Sequence, residues 1–242
     1  MQGWFDTHVH LDRYSPEERS SILQRAAEAE VAVIGVAVDV DSAAGLSAIE
    51  GMCGYTVGVH PRHAGSAGPK LAEIARAAGV LAIGECGFDR PGEDRGLQAR
   101  LFVEQCGLAH SLRLPLVLHI DGPGAFEALV ANSDAMAGLV TVRHYFTGDA
   151  AEAAWHRERG HYLSFGNPLR RSSALRELAR DYPAERLLIE TDSYPLPGRN
   201  TEPRDLRLIG ETLALVRDWT FEEARERLAE NTLNAFRKLR RS

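Results

Sequence analysis

Short apolar runs alternate with longer amphipathic segments along most of the chain. The short runs are rich in β-branched residues, which favours buried strands. Eight runs predict strands: WFDTHV, VAVIGVAV, YTVGV, VLAIGE, PLVLHI, LVTVRHY, HYLSFG and RLLIETD. Apolar residues recur at helical spacing in the other segments. These segments predict helices over 16–30, 67–78, 95–113, 148–159, 172–182, 204–217 and 220–239.

Two of the predicted helices begin with a capping signal. Ser15 precedes Pro16, and Glu18 follows three residues after the serine. A serine side chain followed by proline and then by an acidic residue at this spacing is typical of a capping box. Thr220 and Glu223 repeat the spacing. Both sites are therefore expected to start helices.

The alternation of strands and helices predicts the fold class. Near-continuous apolar strands separated by helices indicate a parallel sheet that is covered on its outer face. Eight such units in 242 residues favour a closed (β/α)₈ TIM barrel over an open doubly wound sheet. No Pro-, Gly- or Ser-rich linker divides the chain, so we expect one domain over residues 1–242. The longest irregular stretch, 193–204, follows the last strand and has a length often kept for function.

Composition and charge narrow the function classes. The chain is 44% hydrophobic and 26% charged, which is typical of an ordinary globular protein. A net charge of −6 argues against a protein that coats nucleic acid through bulk positive charge, although a local basic surface could still attract a polyanion. Neither a basic leader nor a run of about 18 apolar residues occurs, so we expect a cytoplasmic location and no membrane partner. Three cysteines without CxxC spacing argue against a disulfide framework or a thiolate metal site.

Residues that bind metals stand at the ends of the predicted strands. His8 and His10 lie two residues apart, which puts both imidazoles on one face of a strand. Alone, such a pair is more often structural. Further strands, however, end in Glu85, His119, His144 and Asp192. In a (β/α)₈ barrel the carboxyl ends of all strands meet at one rim, so these side chains are expected to converge.

The number of these side chains favours two ions rather than one. Four imidazoles and two carboxylates exceed the ligands of one zinc, but they suit two divalent ions that share a carboxylate. Glu85 is the candidate for the shared carboxylate. Because the ligands are nitrogen and oxygen, the metal can be Mg²⁺, Mn²⁺ or Zn²⁺, and the sequence leaves its identity open.

Several sequence blocks carry a family resemblance. The strings DTHVHLD, GVHPR, AIGECGFD, HYFTGD, SFGNP, LLIETDSYP and NTLNAF resemble the signature blocks of the TatD family of metal-dependent deoxyribonucleases. The resemblance extends from about residue 5 to residue 236. It implies a barrel of the amidohydrolase type that cuts phosphodiester bonds of DNA. It further implies digestion of single strands from the 3′ end, or cleavage at abasic sites, with magnesium, manganese or zinc ions.

The resemblance also implies roles for individual residues. One ion would be bound by His8, His10, Glu85 and Asp192, and the other by Glu85, His119 and His144. Glu190 resembles an acidic residue that holds an additional metal when substrate is bound. In the reaction, Asp192 would orient the attacking water and accept its proton, and His60 would hydrogen-bond the phosphate. Asp192, Glu85 and His60 are therefore the predicted catalytic residues.

Two positions depart from the family pattern. Asp121 stands where the family usually has an arginine that grips a phosphate, and an acidic side chain there would repel one. Arg62 stands where the family commonly has histidine, and it could supply the missing cation. The residues expected to contact substrate are His60, Arg62, Arg170, Arg171 and Arg199.

Two other functions remain open from the sequence. Many barrels of this type cleave a small cyclic amide or ester, and Asp121 keeps that reaction in consideration. The chain could also be a catalytically weak, metal-containing subunit of a nucleic-acid complex. A complete set of six ligands argues against this last alternative.

Overall fold

The computed structural model describes residues 3–66, 70–90, 94–196, 198 and 201–241. Within these residues eight strands alternate with nine helices. The strands are β1 (Trp4–Val9), β2 (Val31–Val36), β3 (Gly54–Val57), β4 (Val80–Phe88), β5 (Leu116–Ile120), β6 (Thr141–Arg143), β7 (Tyr162–Phe165) and β8 (Leu187–Ile189). The helices are α1 (Pro16–Glu28), α2 (Val40–Leu46), α3 (Lys70–Ile74), α4 (Arg95–Leu112), α5 (Ala125–Ala131), α6 (Ala150–Glu158), α7 (Ser173–Asp181), α8 (Leu206–Arg217) and α9 (Phe221–Ala235).

The strand order is that of the predicted fold class. The eight strands are neighbours in chain order, from β1 to β8, and helices separate them along the chain. This is the (β/α)₈ barrel, as predicted. Residue contacts group the chain into two compact units, which are described separately below. The first unit contains residues 1–35, 51–53 and 144–242, and the second contains 36–50 and 54–143. One domain over 1–242 remains a prediction.

The first unit is built on parallel pairs at both ends of the chain. β1 pairs with β2 and β7 pairs with β8. A single bridge between Val9 and Ser193 joins the end of β1 to the segment after β8. The ring of Trp4 on β1 packs 5.1 Å from the ring of Phe221 on α9. The buried start of β1 is thereby fixed beneath the last helix.

The second unit is centred on the long strand β4. It pairs in parallel with β3 on one side and with β5 on the other, and β5 pairs with β6. All nine residues of β4 are buried. The aromatic rings of Phe88 on β4 and Phe102 on α4 lie 5.3 Å apart. A strand that is paired on both edges and covered by a helix gives its side chains fixed positions.

The two predicted capping boxes are confirmed. Ser15 Oγ accepts a hydrogen bond from the backbone N–H of Glu18, and the Glu18 carboxylate accepts one from the N–H of Ser15. Thr220 and Glu223 make the same reciprocal bonds at the start of α9. Both helices end earlier than predicted, α1 at Glu28 and α9 at Ala235.

Some predicted boundaries were wrong. The strand expected to end at Glu85 continues to Phe88, because Cys86, Gly87 and Phe88 pair with three successive residues of β5. Helices α2 and α5 were not predicted, since seven residues are too few to establish helical periodicity. The predicted helix 67–78 lies partly outside the described residues, and its described part is α3. No helix among the described residues has the length and apolar character needed to cross a bilayer.

Candidate metal centres

The first unit brings together the side chains of His8, His10 and Asp192. Their ligand atoms all lie within 4.8 Å of one another. Asp192 Oδ1 is 3.4 Å from His10 Nε2 and 4.0 Å from His8 Nε2. His8 is fully buried, and His10 is nearly so. We call these three residues the first centre.

The backbone around Asp192 places its carboxylate toward the histidines. Asp192 has a left-handed backbone with a φ of 51°, and its N–H donates to the carbonyl of His8 at 3.1 Å. The preceding residue, Thr191, donates its N–H to Asp6 Oδ1 at 2.9 Å. Burial raises the pKa of Asp6 to about 8, against the opposing effect of the Thr191 hydrogen bonds. Asp6 thus anchors the segment that carries Asp192.

The carboxylate of Asp192 is held in its ionised form. Burial alone would raise its pKa, but the hydrogen bond from His10 and the charges of His8, His10 and His144 outweigh burial and lower it. An ionised carboxylate is the form that binds a cation or accepts a proton.

His144 lies beside the first centre and is oriented by Glu190. Its ring stacks on the ring of His8, with centroids 4.0 Å apart. Its Nδ1 lies 3.2 Å from Glu190 Oε1, which also accepts the N–H of Tyr145 at 2.6 Å. Thr7 Oγ1 donates to the other oxygen of Glu190 at 3.3 Å. Since a carboxylate on Nδ1 fixes the tautomer of an imidazole, Glu190 places the lone pair of His144 on Nε2.

Glu190 is also held as a carboxylate. It is fully buried. Burial would raise its pKa, but the hydrogen bond from His144 and the charges of His8 and His144 lower it. Its role as a ligand of an additional metal remains a prediction.

The second unit places two carboxylates on either side of His119. Glu85 and Asp89 are separated by four positions, so they share a face at strand period. Gly87, midway between them, is the register partner of His119 on β5. His119 Nδ1 lies 2.7 Å from Glu85 Oε1, and His119 Nε2 lies 3.1 Å from Asp89 Oδ2. We call Glu85, Asp89 and His119 the second centre.

Gly87 permits this close approach of the two strands. Its φ is +139°, which side-chain-bearing residues rarely adopt. A Cβ at this position would lie 2.1 Å from the carbonyl oxygen of His119. The position therefore requires glycine, since only glycine lets the backbone of β4 lie against that of β5 here.

His60 points toward the second centre with a defined tautomer. Its Nδ1 accepts the backbone N–H of Arg62 at 3.1 Å. The proton of the neutral ring is then on Nε2, which lies 3.7 Å from Glu85 Oε1 and 3.8 Å from Asp89 Oδ2. His60 is thus a hydrogen-bond donor at this centre. A metal-ligand role would need that proton to leave.

Arg62 and Asp89 form an ion pair. Arg62 Nε lies 2.8 Å from Asp89 Oδ2. Burial would raise the pKa of Asp89, but the hydrogen bonds from His119 and the Arg90 N–H, with the charges of His119 and Arg62, hold it well below its usual range. Asp89 is therefore ionised, and its Oδ2 accepts from both His119 Nε2 and Arg62 Nε.

Two buried glutamines of α4 hold the backbone of this centre. Gln105 accepts from the N–H of Val59 at 2.8 Å and donates to its carbonyl at 3.1 Å, next to His60. Seven residues earlier on the same helix face, Gln98 accepts from the N–H of Asp89 at 3.4 Å. These contacts fix the backbone beside His60 and the backbone of Asp89.

The sequence interpretation missed Asp89, Asp6 and these glutamines. Asp89 went unassigned because β4 was expected to end at Glu85, although the alternation Glu85, Gly87, Asp89 continues the same face. The alternation Asp6, His8, His10 likewise signals Asp6. Two glutamines seven residues apart in an otherwise apolar helix stripe were the signal for the contacts from α4.

The expected substrate contacts lie in different settings. Arg62 binds Asp89, while the cation beside Asp121 is Arg90, whose Nε lies 3.0 Å from Asp121 Oδ2. Arg170 and Arg171 are exposed after β7. Arg199 lies outside the described residues. That Arg62 supplies the phosphate-binding cation missing at Asp121 remains a prediction, and the charge of Asp121 itself is paired with Arg90.

The donor atoms fit divalent ions in both centres. Two atoms that each lie about 2.0–2.2 Å from one zinc are at most about 4.4 Å apart. The separations of 3.4 and 4.0 Å in the first centre satisfy this limit, and so does the 2.7 Å between His119 Nδ1 and Glu85 Oε1 in the second. Imidazole and carboxylate donors are accepted by Zn²⁺ and Mn²⁺, and carboxylates by Mg²⁺. The described residues therefore include His, Glu and Asp clusters able to bind metals.

Comparison with known proteins identifies relatives over nearly the whole chain. The family described as TatD related DNase matches residues 5–237. The "3'-5' ssDNA/RNA exonuclease TatD" of Erwinia tasmaniensis is 32% identical, covering 96% of this chain and 98% of that protein. The "Uncharacterized metal-dependent hydrolase YabD" of Bacillus subtilis is 29% identical, with the same coverage.

Solved structures agree in fold. YJJV, a TatD homologue from Escherichia coli, superposes with a TM-score of 0.81 at 26% identity, covering 97% of this chain and 98% of that one. A TatD family hydrolase from Entamoeba histolytica has a TM-score of 0.84 at 19% identity and the same coverage. With the family match over residues 5–237, this chain belongs to the TatD family of metal-dependent hydrolases.

Proposed function

We propose that the chain hydrolyses phosphodiester bonds of DNA, acting on single strands from the 3′ end with two divalent ions, Mg²⁺, Mn²⁺ or Zn²⁺. The observation that carries the proposal is the presence, in each unit, of histidines and ionised carboxylates at hydrogen-bonding distance. A relative of nearly equal extent bears the name of a 3′–5′ exonuclease for single-stranded DNA and RNA, which supports the substrate class.

Each ion would be held by a defined set of side chains. His8, His10 and Asp192 would hold one. Glu85 and His119, through Nδ1, would hold the other, with Asp89 accepting the Nε2 proton of His119. His144 as a ligand and Glu85 as the shared carboxylate remain predictions. When bound, the ions stabilise charge on phosphate oxygens and make water a better nucleophile at neutral pH.

Three side chains would transfer the proton and bind the phosphate. Asp192, whose pKa is lowered by its histidine neighbours, accepts the proton of the attacking water. His60 donates from Nε2 to a phosphate oxygen, because its Nδ1 is occupied by the Arg62 N–H. The half-exposed guanidinium of Arg62 keeps donors beyond those used by Asp89, and these face the phosphate.

A nuclease assay with two isosteric variants tests this function. A 5′-labelled single-stranded oligodeoxynucleotide with Mg²⁺ or Mn²⁺ should give products shortened from the 3′ end. Asp192→Asn and Glu85→Gln should each slow cleavage by at least about 10²–10³-fold, since charge stabilisation in the transition state depends on them. Asparagine suits the left-handed backbone of residue 192, so the first variant should fold.

The matched control is Glu17→Gln, a change of one exposed carboxylate on α1. It should cleave at the parent rate, and all variants should unfold at similar temperatures. Folded variants of Asp192 and Glu85 that retain full activity would contradict the proposal.

The two other functions predict different results from the same preparation. Hydrolysis of a cyclic amide or ester with DNA left intact would replace the nuclease assignment. Stoichiometric metal with no turnover of any phosphodiester would favour a binding subunit. The ion pair between Arg90 and Asp121 weakens the cyclic-substrate alternative, because it neutralises the charge that motivated it.

A further inference from the structure

Two open cavities of the first unit adjoin each other along helix α7. The larger has a volume of about 800 Å³ and is lined by Tyr145, Asn167, Pro168, Arg170, Arg171 and Ser172, among others. The smaller, of about 510 Å³, is lined by Arg170, Arg171, Arg176, Arg180, Thr212 and Leu215, among others. Since Arg170 and Arg171 line both, the two cavities are adjacent and share one basic surface. We call it the arginine groove.

The arginines of the groove are placed by local structure. Arg170 ends a short 3₁₀ turn after β7, and Arg171 follows it. Arg176 and Arg180 are four residues apart on α7, so they lie on one face of the helix. Leu175 is buried on another face, which fixes the rotation of α7 and turns the arginines outward.

Backbone carbonyls hold two of these guanidinium groups. Arg176 Nε donates to the carbonyl of Leu169 at 3.1 Å, and Arg180 Nε donates to that of Val216 at 3.2 Å. A guanidinium has five N–H donors, so both groups keep donors for a ligand. The guanidinium of Arg171 is exposed and makes no hydrogen bond or ion pair within the described part of the chain.

The charge of the groove contrasts with that of the chain. Four arginines line it, whereas Asp205 is the one carboxylate that does so among the described residues. The protein as a whole carries a net charge of −6. A concentrated positive groove on an acidic protein attracts a polyanion to that place rather than to the whole surface.

Apolar and aromatic surface accompanies the arginines. Leu215 is 79% exposed in the smaller cavity. Tyr145 lines the other end, next in sequence to His144. Its ring lies against Gly166, where a Cβ would come within 2.4 Å of it. Cationic donors interspersed with apolar and aromatic groups suit the backbone and the unpaired bases of a single strand.

We propose that the arginine groove binds the phosphate backbone of single-stranded nucleic acid beyond the nucleotide that is cleaved, with Tyr145 at the end next to His144. This inference rests on the proposed function and deepens it. It assigns Arg176 and Arg180 to the binding of a long substrate. It explains the exposed Leu215 as a contact for a base.

Binding of labelled oligothymidylates of about 4 to about 20 nucleotides tests the groove. Fluorescence anisotropy is measured across salt concentrations in the Asp192→Asn background with Mg²⁺, so that the strand stays intact. Affinity should rise with length. Adding Arg171→Gln and Arg180→Gln together should weaken binding of the longest strand by about 5- to 10-fold and reduce the salt slope by about 1.4. The shortest strand should be affected less.

Two controls keep the result interpretable. Arg171→Gln alone should reduce the slope by about 0.7, and it removes no structural contact, so misfolding does not explain it. The charge-matched pair Arg100→Gln and Arg237→Gln changes exposed arginines that line neither cavity. It should leave the affinity unchanged.

The outcomes separate the groove from the proposed function. Cleavage of DNA by the parent chain, with length dependence unaltered by the groove variants, would overturn the groove and leave the function standing. A parent that neither cleaves nor binds any strand would overturn both. An equal loss of affinity for duplex DNA would overturn the assignment to single strands.

Discussion

The two centres place their side chains in different ways. In the first centre, His8 lies in β1, while His10 and Asp192 lie beyond the ends of β1 and β8. In the second centre, Glu85 and His119 lie inside paired strands, and Gly87 sets them at a fixed register. The first centre thus depends on short loop segments and on Asp6 behind them. The second centre depends on the close approach of the β4 and β5 backbones at Gly87.

The centres also differ in charge balance. Several imidazoles surround Asp192 in the first unit, with Glu190 bound to His144 behind them. In the second unit the imidazole of His119 lies between two carboxylates, Nε2 of His60 lies within 3.8 Å of both, and Arg62 compensates one of them. Removing a carboxylate should therefore disturb the second centre by misorienting His119.

The largest expected effect comes from Gly87→Ala. The new Cβ would meet the carbonyl oxygen of His119 at 2.1 Å on a backbone with a φ of +139°, so β4 or β5 must shift. We expect a loss of about 3 kcal/mol in the free energy of unfolding. Urea denaturation measures this loss.

A second glycine provides the control for that change. Gly107 lies within α4, and a Cβ there would meet nothing within 4 Å. Gly107→Ala should stabilise the chain by about 0.5–1 kcal/mol, since alanine is the better helix former. Equal stability of both alanine variants would show that strand register does not constrain the second centre.

A smaller effect is expected from Asp89→Asn. The amide removes the ionised acceptor of His119 Nε2, so the imidazole loses its fixed tautomer. Loss of such an outer carboxylate weakens metal binding by about 10–100-fold. Titration calorimetry with Mn²⁺ should show one class of sites weakened and the other retained.

Arg62→Gln and Glu190→Gln sharpen this comparison. Arg62 contacts Asp89 Oδ2, the oxygen that also accepts from His119, but its loss leaves that carboxylate in place, so Arg62→Gln should weaken Mn²⁺ binding less than Asp89→Asn. Glu190→Gln removes the partner of His144 and should affect the other class of sites. If Asp89→Asn bound Mn²⁺ like the parent chain, Asp89 would have no role in orienting His119.

These differences explain how much the sequence could predict. The eight strands and the fold class follow from apolar runs that are long enough to show their period. The His8–His10 pair follows from strand alternation, since both lie on one face of β1 and its continuation. The same alternation predicts Asp89 on the face of Glu85, and it was missed because β4 was predicted to end at Glu85.

Other features depend on contacts that a single sequence does not contain. The register of Gly87 against His119 arises from the pairing of β4 with β5. The partner of Asp121 is Arg90, which is 31 positions away. The arginine groove joins the turn after β7 to the distant helix α8. Such pairings are tertiary, and short-range periodicity carries no information about them.

Another histidine pair in the first unit, His156 and His161, tests whether clustered imidazoles alone make a metal centre. His156 Nδ1 and His161 Nδ1 lie 2.9 Å apart, so these nitrogens face each other, and Glu152 Oε1 lies 3.7 Å from the other ring nitrogen of His156. Burial, followed by the charges of His156 and Arg159, lowers the pKa of His161 from 6.5 to about 3. This pair is expected to act on stability and not on metal binding.

The smallest expected effect is the acid sensitivity of this pair. The unfolded chain binds a proton at His161 below pH 6.5, whereas the folded chain resists it down to about pH 3. The free energy of unfolding therefore falls as the pH falls through that window, by about 1 kcal/mol between pH near 7 and about 5.5.

Urea denaturation at both pH values should show this loss in the parent chain. His161→Gln should reduce it, and His110→Gln, a change of an exposed histidine on α4, should not. Because the metal-ligand candidates are the same in all three chains, the difference between chains isolates His161. An unchanged pH dependence in His161→Gln would mean that protonation of His161 does not lower the free energy of unfolding. The pair would then differ from the two centres only in the placement of its nitrogens.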